Sequence, residues 1–248
     1  MMENKMFCYQ CQETVGNQGC SQVGVCGKTP ETAGLQDLLI DVTKGLAEVI
    51  NEVRCKGKEI NNVYDDQVSE NLFITITNAN FDDQMIIEAV RKTLTLKKEL
   101  LLQLDDQAVL SNRALWMEMD IEAIEKRMQM VGVLETADED IRSLKQLITY
   151  GLKGMAAYNK HAHALGFRKD EIDRFIETTL VKIETSTMSL NDYVALTMET
   201  GKYGVQVMEL LDQANTSTYG NPEITEVNIG VRNNPGILVS GHDLKDLE

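Results

Sequence analysis

The sequence predicts a mainly α-helical protein that closes on the truncated start of an α/β, Rossmann-like domain. Three observations carry that prediction. Only three prolines occur, Pro30, Pro222 and Pro235, so residues 31–221 hold none. At an average proline usage of about 5%, roughly nine or ten would be expected there, and proline is excluded from helix interiors because it lacks the amide donor and clashes with the preceding turn. Within the same stretch apolar residues recur at helical spacing. Beyond residue 226 that spacing gives way to alternation, at Val227, Ile229 and Val231.

Taken in order, residues 1–28 form a cysteine- and glycine-rich loop, 29–221 a helical domain and 222–248 the start of another domain. Thr29 suits an N-cap, Pro30 the first helical position and Glu31 the positive end of the helix dipole. Leu35, Leu38, Leu39, Val42, Leu46, Val49, Ile50 and Val53 then mark one core face, which Gly57 and the polar run through Asn62 end. A second helix is expected over 66–76, on Val68, Leu72, Phe73 and Ile76, broken by Asn78-Ala79-Asn80. Asp82 caps a third, burying Met85, Ile86, Ala89, Val90 and Leu94 and reaching about Gln103. A weaker segment spans 120–131. Asp138 opens a helix with Ile141, Leu144, Leu147, Ile148 and Leu152 inward, ending near Gly166. Helices over 170–186 and 189–213 complete the series. Met117, Met119, Met128 and Met130 read as packing residues, methionine being a flexible gap-filler.

The polar run 215–222 is turn-rich and marks a domain boundary. After it, Gly236-Ile237-Leu238-Val239-Ser240-Gly241 reads as a short buried strand, and His242-Asp243-Leu244 as the first turn of a helix: the first half of a βα unit. A lone parallel strand cannot complete its ladder, so the chain is expected to be part of a longer protein.

Composition narrows the function. The 248 residues carry a formal net charge of −15. Such a surface repels phosphate backbones, which argues against nucleic acid as a partner, and it steers any docking protein that presents a positive patch. The first residues contain no apolar export signal, and no run of eighteen apolar residues occurs, so neither export nor a membrane span is expected. An odd cysteine count without an export signal fits a cytoplasmic protein with reduced thiols. No phosphate-binding loop, nucleophile elbow or HExxH motif is present. His161 and His163 stand two apart on one helix, on different faces, and do not pair as metal ligands. Cys55 reads as a small apolar residue at a helix end.

The chemistry concentrates in Cys8, Cys11, Cys20 and Cys26, spaced C-x2-C-x8-C-x5-C with Gly16, Gly19, Gly24 and Gly27 between and around them. Four thiolates in one short loop suit an iron–sulfur cluster or a structural zinc, and glycines let backbone amides approach the sulfurs. Zinc sites usually present two short knuckles, whereas the second pair here is five residues apart. An iron–sulfur redox protein and a non-catalytic, zinc-stabilised binding module therefore stand as the two readings.

The segments Phe7-Cys8-Tyr9-Gln10-Cys11-Gln12-Glu13-Thr14 and Gly24-Val25-Cys26-Gly27-Lys28-Thr29-Pro30-Glu31 closely resemble the amino terminus of the hybrid cluster protein family, also called the prismane or hydroxylamine reductase family. Ile74-Thr75-Ile76-Thr77-Asn78-Ala79-Asn80-Phe81-Asp82, Tyr150-Gly151-Leu152-Lys153-Gly154-Met155-Ala156-Ala157-Tyr158, Gly201-Lys202-Tyr203-Gly204-Val205 and 235–244 extend the match colinearly over nearly the whole chain. The resemblance implies a helical domain of two three-helix bundles followed by α/β domains. It implies that Cys8, Cys11, Cys20 and Cys26 ligate an electron-relay [4Fe-4S] cluster. It matches His242 to a ligand of a hybrid iron–sulfur–oxygen cluster whose other ligands have no counterpart in these 248 residues. It implies reduction of hydroxylamine to ammonia and water in a complete protein, with nitric oxide as another substrate, fed by a redox donor protein. These residues alone are expected to be inactive.

Overall fold

In a computed structural model, the structure describes residues 6–104, 108–185, 187–239 and 245. Among them eight α-helices are formed and no β-strand, beyond a single antiparallel bridge between Cys8 and Cys20. No helix of the described residues is long and apolar enough to cross a membrane.

The first helix, α1 (Pro30–Cys55), starts as the sequence predicts: the Thr29 hydroxyl accepts from the Thr32 amide, with Pro30 in the first turn. The sequence gives it one core face, but the structure buries it nearly all round. Leu38, Leu39, Val42, Leu46, Ala47, Val49, Ile50 and Val53 are wholly inaccessible, and so is the polar Thr43. The remaining helices explain this: α2 (Asn62–Ile74), α3 (Asp83–Leu101), α4 (Asn112–Leu115), α5 (Ile121–Met128) and α7 (Asp170–Lys182) all pack on it. The two longest partners, α6 (Glu139–Ala164) and α8 (Leu190–Tyr219), pack on each other, and α6 also lies along α2.

The helices sort into two packed groups joined through α1. The amino-terminal half of α1, through Leu35, Leu38, Leu39 and Val42, meets Ile86, Val90 and Leu94 of α3 and Ile124 of α5. Its carboxyl-terminal half, from Leu46 to Val53, packs on α2 and α7 in a larger core that α6 and α8 complete. One helix thus serves both cores.

Several boundaries depart from the pattern-based reading. Helix α2 starts four residues early because the Asn61 side chain caps it by accepting from the Val63 amide. Helix α7 ends at Lys182, and Ser186 lies outside the described residues. Helix α8 runs six residues past Gln213, through most of the polar run read as a boundary. Ala214 is buried there, Thr216 bonds back to the Asp212 carbonyl, and Gly220, at φ 89°, ends it. The one-turn α4 escapes periodicity altogether, being too short to show it. Met85 and Leu147, expected inside, are exposed because Ile86 and Ile148 beside them set the buried faces. Met117, Met119 and Met128 do pack on the α1–α3 core, while Met130 is exposed.

Residues 222–239 are exposed and form no ladder; Ile229 and Val231 are fully accessible. A strand needs a neighbour to satisfy its amides and carbonyls, and none of the described residues provides one. Residues 240–244, where the strand would end, lie outside the described residues.

A belt of buried charge crosses the two cores. Asp41 of α1 accepts from Arg113, and from Arg127 at 2.8 Å. Lys97 of α3, wholly inaccessible, donates to the Arg113 and Trp116 carbonyls at 3.0 and 2.8 Å. Glu184 meets Lys44 at 2.6 Å, Lys145 at 3.4 Å and Arg113 at 3.6 Å. Burial pushes the Glu184 carboxyl up, but the three cations outweigh it and hold it at about 2. A carboxylate depressed on folding stabilises the fold above its unfolded pKa, and that contribution is lost as pH falls through the folded value. Glu184→Gln is therefore expected to lower stability by about 1–3 kcal/mol at pH 7. In chemical denaturation run from pH 7 downward, the gap between wild type and variant should close between about pH 4.5 and pH 2.

Candidate metal centre

The loop ahead of α1 is built from backbone hydrogen bonds rather than from a core. Cys8 and Cys20 face each other across the antiparallel bridge, exchanging amide–carbonyl bonds of 3.0 and 2.8 Å. Between them the chain turns back through a single 3₁₀ turn, Val15–Asn17. The Thr14 hydroxyl donates to the Cys8 carbonyl at 3.2 Å and lies 3.8 Å from Cys20 Sγ. The second turn closes with the Gly24 amide on the Lys28 carbonyl and the Gly27 amide on the Gly24 carbonyl, each at 2.8 Å.

Two glycines mark close approaches here. A Cβ at Gly24 would stand 3.0 Å from Cys26 Sγ and 3.2 Å from the Lys28 amide, so any larger residue there would push these segments apart by a few tenths of an ångström. Gly19 has φ 131° and is covered by the Phe7 ring, which a Cβ would meet at 2.7 Å.

All five cysteines are free thiols. Cys20 is buried, Cys8 and Cys11 are half-buried, and Cys26 is exposed at the rim. The amides of Val15 and Val25 donate to the Cys20 sulfur and hold that thiol below its usual pKa, more than offsetting burial. The donor set therefore fits a thiolate-bound group: four free soft ligands in one loop, with backbone amides turned toward sulfur. The sulfurs are not gathered, however; among the described residues no three His, Cys, Asp or Glu side chains converge as a bound ion requires.

The other sequence-level candidates lie elsewhere. His242 falls outside the described residues. His163 is held by Asp66 at 3.0 Å, and His161 packs edge-on against Phe73, so they occupy different faces of α6, as their spacing implies. Cys55 ends α1, exposed rather than packed.

Sequence reasoning missed the side chains beneath the loop. A narrow pocket of about 30 Å³, room for roughly one or two waters, separates the loop from α1 and α6, with Cys8, Gln10, Lys28, Asp37, Tyr150 and Lys153 among its walls. Lys28 donates to Gln36 at 2.6 Å, and Gln36 donates to the Asn80 carbonyl at 2.8 Å. Lys153 donates to Gln10 at 2.8 Å and to the Thr75 carbonyl at 3.0 Å. Burial pushes Lys153 down and Asp37 up from their usual values, each opposed by the charge of the other. Burial likewise pushes the Tyr150 phenol up. One signal was available: Lys153 falls in register with Thr149, Leu152 and Ala156, the buried face of α6, where a lysine needs a partner.

Comparison with known proteins supplies the context. The sequence model of the Prismane/CO dehydrogenase family matches residues 6–248. A hydroxylamine reductase of Desulfovibrio desulfuricans is 58% identical over 247 residues, covering 100% of this chain and 45% of that protein. Hydroxylamine reductases of Clostridium perfringens and Porphyromonas gingivalis are 54% and 51% identical, over 98% and 100% of this chain. The chain thus spans less than half the length of these curated relatives.

The exposures set an order of thiol reactivity. Brief maleimide treatment of the metal-free, reduced protein, followed by peptide mass spectrometry, is expected to label Cys26 and Cys55 first, Cys8 and Cys11 more slowly and Cys20 last. Fast labelling of Cys20 would contradict the bridged loop.

Proposed function

The chain belongs to the Prismane/CO dehydrogenase family, and on that premise we propose that it is the amino-terminal part of an iron–sulfur oxidoreductase that reduces hydroxylamine to ammonia and water. Within it, Cys8, Cys11, Cys20 and Cys26 hold an electron-relay [4Fe-4S] cluster. The observation that carries this reading is four free thiols in one amide-lined loop, seated on the helical body that the family match covers.

The cluster, when bound, accepts and passes on single electrons. The chain's residues do the rest. Cys26 at the rim places one ligand where a donor protein reaches it, and Cys20 lies on the inward side. The net charge of −15 favours a donor with a basic docking face. Hydrogen bonds from the Val15 and Val25 amides to the Cys20 sulfur spread its negative charge, which favours added electrons. Splitting the N–O bond of hydroxylamine consumes two electrons and two protons. In the complete protein His242 would be one ligand of a second, hybrid iron–sulfur–oxygen centre, which would supply the redox chemistry for that cleavage and for nitric oxide as another substrate. In this reading residues 1–28 carry the relay, 29–221 form the helical domain and 222–248 begin an α/β domain. The protein works in the cytoplasm, where its thiols stay reduced.

Air-free reconstitution with iron and sulfide tests the assignment. The expected product is brown, with roughly four iron and four acid-labile sulfide per chain. Cys11→Ser should abolish the visible absorbance while leaving the helical circular dichroism nearly intact, because the loop lies outside both hydrophobic cores. Cys55→Ser should alter neither. A colourless protein that takes one zinc and no iron would replace this reading with a structural metal module.

A further inference from the structure

We propose that Lys153, on α6 and remote from the cysteines in sequence, is the positioning residue that seats the Cys8–Cys11 turn on the helical body and supplies the buried positive charge beneath the four-cysteine centre. The proposal rests on the iron–sulfur reading for its second half only; the seating stands on geometry alone.

Lys153 is 5% exposed, and its ammonium reaches two other elements besides its own helix. It donates at 2.8 Å to Oε1 of Gln10, the residue just before Cys11. It donates at 3.0 Å to the Thr75 carbonyl, which ends α2. Its Nζ lies 5.7 Å from the centre of the Tyr150 ring, one turn earlier on α6. Gln10 turns its own amide to the same Thr75 carbonyl, at 3.4 Å, so loop, α2 and α6 meet at one point.

Besides Lys153, the turn touches α6 through Tyr9, whose ring meets that of Tyr150 edge-on at 6.2 Å, and the loop has little apolar packing of its own. Its small apolar cluster is Met6, Cys20 and Ala33, with Cys8 alongside, while Val15, Val23 and Val25 are exposed. Lys28 fixes the other end of the loop through Gln36 and lies over the Phe81 ring at 5.9 Å. Lys153 and Lys28 thus pin the two turns that carry the paired cysteines. The difference is that Lys28 follows directly into α1 through its backbone, whereas the Cys8–Cys11 turn meets its helix, α6, only through side chains, Tyr9 on Tyr150 and Gln10 on Lys153. An apolar residue at 153 would leave Gln10 Oε1 without its donor and the Thr75 carbonyl with only the longer bond from the Gln10 amide. An ammonium there also offsets the negative charge of four thiolates, a charge that grows on reduction.

Lys153→Met, Lys153→Arg and Gln10→Leu separate these roles. In the metal-free chain, maleimide labelling of Cys8 and Cys11, referenced to Cys55, is expected to rise several-fold in Lys153→Met and Gln10→Leu and to return toward wild type in Lys153→Arg. After reconstitution, Lys153→Met should bind less iron, and what it binds should show a midpoint potential shifted to more negative values, again restored by arginine. Should Lys153→Met lose its helical circular dichroism, Gln10→Leu decides, since it alters only the loop side of the contact. Wild-type labelling in a folded Gln10→Leu overturns the seating, and an unchanged potential in reconstituted Lys153→Met overturns the electrostatic role. A wild-type chain that takes up no iron, while labelling still rises in the variants, would remove the cluster reading and the electrostatic role but keep the seating.

Discussion

The structure depends on the burial of α1. A 26-residue helix wrapped by five others is the shared wall of two cores, so neither core closes without it. Its interior must accept polar groups as well, because a helix surrounded on all sides cannot send its polar residues to water. Thr43 donates to the Leu39 carbonyl and accepts from Asn71, and Asp41 is met by two arginines. Each such group is stable inside only because its partner is fixed by another helix.

This arrangement also explains why the cysteine loop can be a loop. It joins α1 three residues after Cys26, with Thr29 as the cap. The rigid start of α1 fixes one end of the turn that bears Cys26, and the bridge between Cys8 and Cys20 fixes the return. The four free thiols suit a thiolate-bound group, and the buried Lys28 and Lys153 beneath the loop match such a group in sign.

Much of this was legible in the sequence. The absence of proline over 31–221 and the caps at Thr29, Asp82 and Asp138 place most of the helices, because capping is a local interaction between a side chain and amides two or three residues on. The four cysteines stand out for a similar reason, their spacing being a property of the chain itself. Less legible were the long reach of α8 and the exposure of Met85 and Leu147, which depend on what lies opposite.

The sequence alone determined the helical class, the start of α1 and the identity of the thiol set, since propensity, capping and spacing act over a few residues. Only the tertiary structure decided that α1 is surrounded rather than one-sided, and that Lys153, 142 residues beyond Cys11, reaches the turn between two cysteines. Those are contacts between distant segments, and no periodicity within one helix records which partner its buried face will meet.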